Sequence, residues 1–433
     1  MLSATLGVSA PAHGRWACRA DRIFDGQRVR ADAAVIVDGD RIAALLPARD
    51  VPSGLPTLAA PGCTLLPGLV DLHTHFTRWQ GPLFLAHGVT TIRDVGNQLD
   101  WILARRGEWR SHPWPRIHTL GPLLDGPTPA HPGISLACGD AAAARQAVAH
   151  VAATGVDGIK LYVGLRAEWL RGMVEEGHSH GLRVAMHCSD QTPASAAGTA
   201  GVDEFFHLDG LLTDIWPDHP GGWLRAWGEP GAAQRLDRQQ HLADRIKQLG
   251  MIATPTLAFW EGNCHARASG YPRPEAIGAD TAGGVDAWRR ALTAAQRFVG
   301  LLLAREVPVL AGTDAPCALL QPGRSLWREL SLLVECGMAP IASLCAATSG
   351  AAACLGNERI GRLAPGCAAD MVVAKGDPTR ELPASPEVAA VVLAGQVLSP
   401  AVLLAQARRQ LARSAPDPLE DEIPRPTRAE LDL

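Results

Sequence analysis

The alternation of apolar and polar positions divides the chain into two β-rich ends and a longer middle of a different kind. Residues 16–66 carry short alternating stretches, such as AAVIVDGDRIAALL, broken by DG and GD turns, which is the pattern of half-buried strands. A similar texture returns at 359–398 in RIGRLAPGCAADMVVAKGD and AAVVLAGQVLS. Two similar ends around a different middle predict one small domain assembled from both termini, which we expect to be a β-sandwich.

The middle of the chain alternates short apolar runs with Ala-rich or amphipathic segments such as AAAARQAVAHVAATG. The runs predict eight strands: Leu69–Phe76, Val89–Val95, Arg116–Leu120, Gly158–Val163, Arg183–Cys188, Glu204–Leu208, Met251–Leu257 and Val307–Thr313. Eight strands that alternate with helices are typical of a (β/α)8 TIM barrel, an α/β fold. A doubly wound sheet alternates in the same way, so the count alone leaves that fold open.

The pattern therefore predicts four parts along the chain. Residues 1–66 and 359–400 are the two parts of the small β domain, 67–358 is the barrel, and 401–433 is a C-terminal helix and tail. The final stretch, APDPLEDEIPRPTRAELDL, mixes proline with charges of both signs. We expect this tail to be loosely attached.

Composition limits the class of protein. A hydrophobic content of 47% with 19% charged residues indicates a globular chain and excludes a disordered one. The formal net charge of −4 gives no bias toward nucleic acid or anionic membranes, and neither partner is expected. The ten cysteines include no CxxC pair, which favours buried thiols in a reducing compartment. Because no signal peptide or run of about 18 apolar residues is recognisable, we expect a cytoplasmic protein.

Residue types that bind metals stand at the ends of the predicted strands. His73 and His75 end the first strand and, two positions apart, share one face of it. His187, His207 and Asp314 each end a later strand, and active-site groups gather at that end of a barrel. Imidazole nitrogens with a carboxylate suit Zn²⁺ or a similar divalent ion. The sequence predicts a metal centre, although a hydrogen-bonded pair of core histidines would explain the first two residues alone.

Lys160 stands in GVDGIKLYV, inside an otherwise apolar strand. An ammonium group is costly to bury there. One interpretation is a side chain that extends to the barrel rim or pairs with a carboxylate. The other is a lysine carboxylated by CO2, whose two oxygens would bridge two metal ions. That modification requires the neutral amine, which burial favours.

Five stretches together resemble the amidohydrolase superfamily, in particular its prolidase-like and imidazolonepropionase-related branch: PGLVDLHTH, HGVTTIRDVG, GIKLY, AGTDAP and ATSGAAACLG…IGRLAPGCAADMVV. The similarity extends from about residue 18 to about residue 398 and includes the small β domain. The resemblance implies a binuclear metal-dependent hydrolase that cleaves an amide (C–N) or related acyl bond of a small molecule.

The resemblance also implies two divalent ions, expected to be Zn²⁺, and a role for each residue. His73, His75 and Asp314 would bind the more buried ion, and His187 and His207 would bind the outer one. The carboxylated lysine would bridge them. A hydroxide between the ions would attack the substrate, and Asp314 would act as proton shuttle to the leaving group.

The identity of the substrate is narrowed by two residues that follow the fifth strand, Ser189 and Asp190. Single-metal deaminases of the superfamily mostly lack the lysine of GIKLY and often carry His-x-x-Glu here, where this chain has Asp190. Dipeptidases of the branch that cleave an Xaa–amino-acid bond tend to have a tyrosine where this chain has Ser189, which argues against a carboxylate-terminated dipeptide. The candidate substrates are Xaa-Pro or other dipeptides, N-acyl amino acids and cyclic amides.

Four further side chains are predicted to contact the substrate. Tyr162 shares the face of the strand-four lysine, and His131 lies on the loop after the third strand. Trp79 and Trp260 follow the first and seventh strands, where an indole can stack on an apolar or aromatic group. The segment 261–282 contains Gly and Pro without a clean period and is predicted to be a lid.

Two other functions stay open. One is a deaminase with a single ion or an imidazolonepropionase-like cyclic amidohydrolase, and metal stoichiometry separates the single-ion enzyme from a binuclear one. The other is a non-catalytic scaffold on the same fold, which would be expected to have gaps among its metal ligands, whereas this chain has none. A small-molecule substrate is the predicted partner, and a homo-oligomer stays open.

Overall fold

Seventeen strands make up the β-structure of the described chain, and those of the two ends meet in one sheet. The computed structural model describes residues 14–217, 227, 235–268, 284–413, 415–427, 429 and 431. The N-terminal strands are β1 (Arg15–Phe24), β2 (Val29–Ala31), β3 (Ala33–Asp38), β4 (Arg41–Pro47) and β5 (Thr57–Pro67). The middle strands are β6 (Leu69–Thr74), β7 (Val89–Asp94), β8 (Arg116–Thr119), β9 (Leu123–Asp125), β10 (Ser135–Ala137), β11 (Ile159–Leu161), β12 (Val184–His187), β13 (Glu204–Phe206) and β14 (Ile252–Thr254). The last are β15 (Met371–Lys375), β16 (Val388–Leu393) and β17 (Gln396–Leu398).

The sheet of the two ends has the order β17-β16-β15-β5-β1-β3-β4, with β2 attached to β1. Strand β5 joins the two ends, because it pairs parallel with β1 and antiparallel with β15. Apolar residues from both ends form its core, including Trp16, Leu65, Met371 and Val373. The described strands follow a single sheet path, so the predicted β-sandwich is not confirmed.

The middle strands form two parallel sheets, with the orders β6-β7-β8 and β10-β9-β11-β12-β13-β14. Strands β6, β7, β11 and β13 are buried along their whole length, as is usual for parallel strands covered on both faces. This mixed α/β fold is consistent with the predicted TIM barrel. Six of the eight predicted strands appear at their predicted places, each shorter by one to three residues.

The seventh and eighth predicted strands differ from the structure. Strand β14 ends at Thr254, and Leu257, which was predicted to end it, begins a helix. On the predicted eighth strand the described residues make one isolated parallel bridge, from Ala253 to Val309, and a second, from Thr74 to Ala315, follows just beyond it. Pro308 contributes to this irregularity because proline has no N–H to donate to a ladder.

Helices connect the parallel strands and cover them: α1 (Gly81–Ala86), α2 (Leu99–Glu108), α3 (Ala141–Ala153), α4 (Ala167–Ser179), α5 (Ala194–Ala200), α6 (Leu212–Ile215), α7 (Leu236–Gln248), α8 (Leu257–Ala268), α9 (Val285–Ala304), α10 (Arg324–Glu335), α11 (Pro340–Ala346), α12 (Ser349–Cys354) and α13 (Pro400–Arg413). Helix α3 shows how the sequence specifies them. Asp140 caps its first turn through the backbone N–H of Ala143 at 2.8 Å, and Ala144, Val148 and Val151 form its buried face. None of the described helices is both long and apolar enough to cross a membrane.

The described part of the tail is anchored, and the expectation of a loosely attached tail is wrong for it. The side chain of Asp417 is buried and accepts hydrogen bonds from the backbone N (2.8 Å) and Nε (2.6 Å) of Arg78. Leu419 is fully buried, and Leu431 packs with Trp79. Proline and mixed charge do not distinguish a free tail from one whose carboxylates have partners in the fold.

Candidate metal centre and active site

Three of the predicted ligands converge at the end of β6. Nε2 of His73 lies 3.2 Å from Oδ1 of Asp314, and Nε2 of His75 lies 3.3 Å from the same oxygen. One potential ligand atom from each of the three residues lies within 4.8 Å of the others. This trio has the spacing to share one divalent ion.

The close approach of Asp314 to β6 depends on two neighbouring residues. A Cβ atom added at Gly312 would lie 2.7 Å from Cβ of His73, so only glycine lets the two segments lie this close. The carboxylate of Asp71 accepts hydrogen bonds from the backbone N (3.1 Å) and hydroxyl (2.8 Å) of Thr313. Burial raises the pKa of Asp71 to about 7. Sequence reasoning missed both residues, although they stand inside the motifs VDLHTH and AGTD.

The hydrogen bonds of His75 determine which ring nitrogen faces Asp314. Its Nδ1 lies 3.0 Å from the carbonyl oxygen of Gly96, which only accepts, so Nδ1 carries the hydrogen of the neutral ring and Nε2 has the lone pair. Two acceptors then face each other, and a proton or a cation has to lie between them. Burial lowers the pKa of His75, but Asp314 outweighs burial and raises it. This shift favours a proton at that place when no metal is bound.

The charge state of the trio also fits a metal. Burial would raise the pKa of Asp314, but hydrogen bonds from His73 and His75 outweigh it and hold the pKa well below the usual range. Burial lowers the pKa of His73 well below its usual value, which favours the neutral ring that a metal requires. Two imidazoles and one carboxylate are a donor set that Zn²⁺ accepts.

Lys160 is enclosed by the parallel strands. It is 1% exposed, and its Nζ lies 3.9 Å from the ring centroid of Phe206 and 5.8 Å from that of Tyr162. Burial, opposed by Asp314 and aided by Arg93, lowers the pKa of Lys160 to about 7. Its burial does not support a side chain at the barrel rim, and the ion pairs found among the described residues do not include it.

Arg93 of β7 and Glu204 of β13 form a buried ion pair near Lys160. Both terminal nitrogens of Arg93 donate to the carboxylate of Glu204, at 2.8 and 2.7 Å. Glu204 also accepts from the hydroxyl of Thr254 at 2.6 Å. Since Arg93 and Thr254 occupy Glu204, this carboxylate is already neutralised by a guanidinium and is not a partner for the lysine.

His187 and His207 have partners that fix their rings. Nε2 of His187 lies 3.0 Å from Oδ2 of Asp209. Because a carboxylate only accepts, this nitrogen is protonated and Nδ1 of the neutral ring has the lone pair. Nδ1 of His207 lies 2.7 Å from the hydroxyl of Thr256. The ring centroid of His207 is 4.4 Å from that of His187 and 4.6 Å from that of His73.

Backbone strain is concentrated at the same place. His207 (φ 63°), Thr256 (φ 51°) and Asp314 (φ 69°) adopt left-handed conformations, which non-glycine residues and above all β-branched residues avoid. Such conformations cluster where a site holds side chains in a required geometry. His207 and Asp314, which both follow strand ends, line the common cavity in these conformations. No sequence pattern reveals the strain.

All six predicted metal ligands line one cavity of about 510 Å³. They are His73, His75, Lys160, His187, His207 and Asp314. The predicted substrate contacts Tyr162 and His131 line it as well, and the Tyr162 ring packs edge-on against His187 with centroids 5.2 Å apart. The structure therefore places every predicted ligand around one space, with the first trio close enough to share an ion.

Neither predicted tryptophan lines this cavity. Trp79 is 1% exposed and packs against Leu83 and Leu411. Trp260, on α8, is also 1% exposed, and its ring centroid lies 6.3 Å from that of Trp288. The predicted substrate contacts of these two side chains are not supported, and both have a packing role.

The predicted lid is only partly within the described residues. Residues 261–268 continue helix α8, and Glu261 on it pairs with Arg328 through two contacts of 2.7 Å. This part is a packed helix, and its Asn263 and Ala266 line the cavity; a lid stays a prediction for it. Residues 269–282 lie outside the described residues.

Two groups at the cavity were missed by sequence reasoning. Asp209 stands two positions after His207, so its place in the sequence was a usable signal. Glu422, Ile423 and Pro424 line the cavity from the C-terminal tail. They lie far along the chain from every metal ligand, and no local pattern marked them.

Known structures with the same fold extend over nearly the whole chain. An Xaa-Pro dipeptidase with bound methionine is 18% identical, over 89% of this chain and 100% of that chain, with a TM-score of 0.70. A bottromycin amidohydrolase is 22% identical, over 94% and 92%, with a TM-score of 0.69. An A. niger ochratoxinase is 17% identical, over 90% and 96%, with a TM-score of 0.67. At these identities the likeness establishes the fold.

Sequence comparison identifies the family. No curated protein is significantly similar in sequence to the chain. Residues 64–398 match the model of the amidohydrolase family, and this range contains both parallel sheets and all six predicted metal ligands. The match extends over most of the chain and agrees with the resemblance of its motifs. The protein belongs to the amidohydrolase family.

Proposed function

We propose that the protein is a binuclear metal-dependent hydrolase of an amide (C–N) or related acyl bond in a small molecule. The observation that carries the proposal is the convergence of His73 and His75 on Asp314, with the three other predicted ligands around the same cavity. Fold neighbours that include an Xaa-Pro dipeptidase and a bottromycin amidohydrolase support it. We also propose that the two parallel sheets are the arcs of one closed (β/α)8 barrel, to which the two bridges of residues 309–315 contribute.

Two divalent ions, most simply Zn²⁺, would be held by the residues around the cavity. His73, His75 and Asp314 would hold the inner ion, and His187 and His207 the outer ion. Such ions lower the pKa of water and polarise a carbonyl oxygen. Asp209 would keep His187 oriented through its hydrogen bond of 3.0 Å.

Lys160 would supply the bridge after reaction with CO2. The lone pair of the neutral amine forms the N–C bond, one proton is released, and the carbamate gains two oxygen donors. The burial of the side chain and its position over Phe206 support this proposal, since they disfavour the ammonium form. A buried carbamate would have to be compensated by cations.

Asp314 would move the proton of the reaction. Its pKa is held well below the usual range, so the carboxylate is anionic, and a bound cation would keep it so. In that state it accepts a proton from the attacking water molecule and delivers it to the leaving nitrogen, so that an amine departs.

A specific observation favours a second candidate, a mononuclear deaminase or an imidazolonepropionase-like cyclic amidohydrolase. Among the described residues, the donor atoms within 4.8 Å of one another belong to His73, His75 and Asp314, which is a set for one ion. The buried Lys160 argues for two, because a single-ion site has no need of a bridge. Metal stoichiometry separates the alternatives.

An activity screen tests the proposed reaction. The zinc-loaded protein is incubated with Xaa-Pro and other dipeptides, N-acyl amino acids, cyclic amides and, as the deaminase control, aminated purines and pyrimidines. We expect a released amine from an amide substrate, lost on chelation and restored by Zn²⁺. Ammonia released from a heterocycle, without amide cleavage, would contradict the proposal.

A further inference from the structure

Part of the cavity wall comes from outside the region that matches the family. That match ends at residue 398, whereas Glu422, Ile423 and Pro424 of the tail line the cavity. The tail is held in place by the paired hydrogen bonds between Asp417 and Arg78, at 2.8 and 2.6 Å. This part of the wall therefore comes from the chain's own tail and not from the matched family region.

The wall presents an apolar face to the cavity. Leu123, Ile134 and the tail residue Leu419 form one buried cluster, and Tyr162 and Ile423 pack against it. All of these except Leu419 also line the cavity. Tyr162 in turn lies edge-on against the predicted ligand His187, so the apolar face begins beside the metal ligands.

The charged group that the tail contributes to this wall, Glu422, is bound to the loop after β9. Glu422 accepts a hydrogen bond from the backbone N of Gly133 at 2.6 Å, and its other oxygen lies 3.3 Å from Nδ1 of His131. A Cβ atom at Gly133 would lie 2.7 Å from Oε1 of Glu422, so the loop after β9 fits closely against the tail. Glu422 is thus a structural link and not a free counter-charge for a substrate.

We propose that Leu123, Ile134, Tyr162 and Ile423 form an apolar subsite that binds an uncharged alkyl or aryl group next to the bond to be cleaved. In this subsite, Ile423 limits the length of the group. The inference rests on the proposed function, because the predicted metal ligands define where the reacting bond lies. The substrate class that follows is an amide with an apolar side group of moderate size.

Binding of hydroxamates of increasing chain length tests the subsite directly. Calorimetry on the full-length, zinc-loaded protein compares acetohydroxamate, butanohydroxamate and hexanohydroxamate, whose common head group chelates divalent ions. If the alkyl chain enters the subsite, the Kd falls about fourfold for each buried CH2. Acetohydroxamate reports on the metal centre, and the dependence on chain length reports on the subsite.

Two substitutions of isoleucine by tryptophan make the test specific. Ile423→Trp fills the subsite, so the gain in affinity with chain length should disappear, whereas Ile423→Ala should extend the gain to longer chains. Ile341→Trp, at an exposed position on α11, is the matched control and should keep the wild-type dependence. Melting temperatures verify that each variant is folded.

The outcomes separate the subsite from the metal centre. Binding of acetohydroxamate without any gain for longer chains, or an unchanged gain in Ile423→Trp, would overturn the subsite and leave the metal centre standing. Failure of acetohydroxamate to bind would contradict the metal centre. The subsite would then be supported if the longer chains still bind with an Ile423-dependent gain and overturned if they do not.

Discussion

At the scale of single residues, Asp314 combines a left-handed backbone (φ 69°) with hydrogen bonds to two histidines. An Asp314→Asn variant keeps the size of the side chain, but the amide does not take up a proton at neutral pH. We expect kcat to fall about 10²–10⁴-fold, with a smaller change in KM. Any loss of bound metal adds to this effect. Measuring kcat, metal content and melting temperature on one preparation distinguishes a role in proton transfer from a purely structural role.

The matched control is Asp237→Asn, an exposed aspartate on α7, which should behave as wild type. A structural role for Asp314 alone predicts a lower melting temperature with near-normal kcat in the folded fraction. An Asp314→Asn protein that is folded, metal-loaded and fully active would refute the proposed proton transfer.

Lys160 is the residue on which the two-ion interpretation depends. Intact-protein mass spectrometry under native conditions with bicarbonate should show a CO2 adduct that is absent from Lys160→Ala. The variant should also bind less metal and lose activity in parallel, because the bridge is gone. An unmodified lysine in metal-replete, bicarbonate-supplied protein would count against carboxylation, as would full metal content in the variant.

At the scale of elements, the buried pair of Arg93 and Glu204 connects β7 with β13. Glu204→Ala leaves the guanidinium buried without its partner, and we expect the free energy of unfolding to fall by about 3–5 kcal/mol. The control pair, Arg105 with Glu108 on α2, is partly exposed, and Glu108→Ala should cost about 0–1 kcal/mol. Urea unfolding of both variants measures the difference, and equal losses would contradict this role of the buried pair.

The junction between α10 and α8 predicts a dependence of stability on pH. Glu329 is fully buried on α10, and its Oε2 accepts a hydrogen bond from the backbone N of Ala258 at 2.6 Å. Burial raises the pKa of Glu329 from its ordinary value of 4.5 to about 8. Between these two pH values the unfolded chain releases the proton and the folded protein keeps it, so this group's stabilisation is complete below pH 4.5 and declines as the pH rises toward 8.

Glu329→Gln imitates the protonated carboxyl group and removes this titration. We expect the melting temperature of the variant to rise relative to that of the wild type as the pH increases from about 5 to about 8. Melting curves of both proteins are recorded in parallel over this range. The titration of all other groups is common to both proteins and therefore drops out of the difference between their melting temperatures. A constant difference between the two proteins would show that Glu329 does not change its charge on unfolding.

At the scale of the whole molecule, local patterns predicted most of what positions the site. The alternating strands of the two ends and six of the middle strands were readable, because each depends on neighbours a few positions apart. The motifs at the strand ends also singled out six residues that all line one cavity, and their role as metal ligands stays a prediction. The seventh and eighth strands were misjudged since an apolar run also suits a buried helix or an irregular segment. Trp260 was misplaced for the same reason, because its predicted role followed from the position of the seventh strand.

The remainder of the site depends on contacts that no local pattern encodes. Asp417 pairs with Arg78 and Glu422 contacts His131, and each partnership joins residues about 300 positions apart. The left-handed backbone at His207 is likewise set by packing around the site rather than by residue type. Sequence alone therefore predicts the residues proposed as metal ligands better than it predicts the part of the cavity wall that the tail supplies.

The measurement that tests the central claim most directly is the number of metal ions per chain. Elemental analysis of wild-type protein, saturated with Zn²⁺ in the presence of bicarbonate and freed of unbound metal, should give close to two ions. The amide hydrolysis of the same preparation should rise with occupancy and reach its maximum near that value. One ion per chain at saturation, with full activity, would contradict the binuclear account and favour the single-ion alternative.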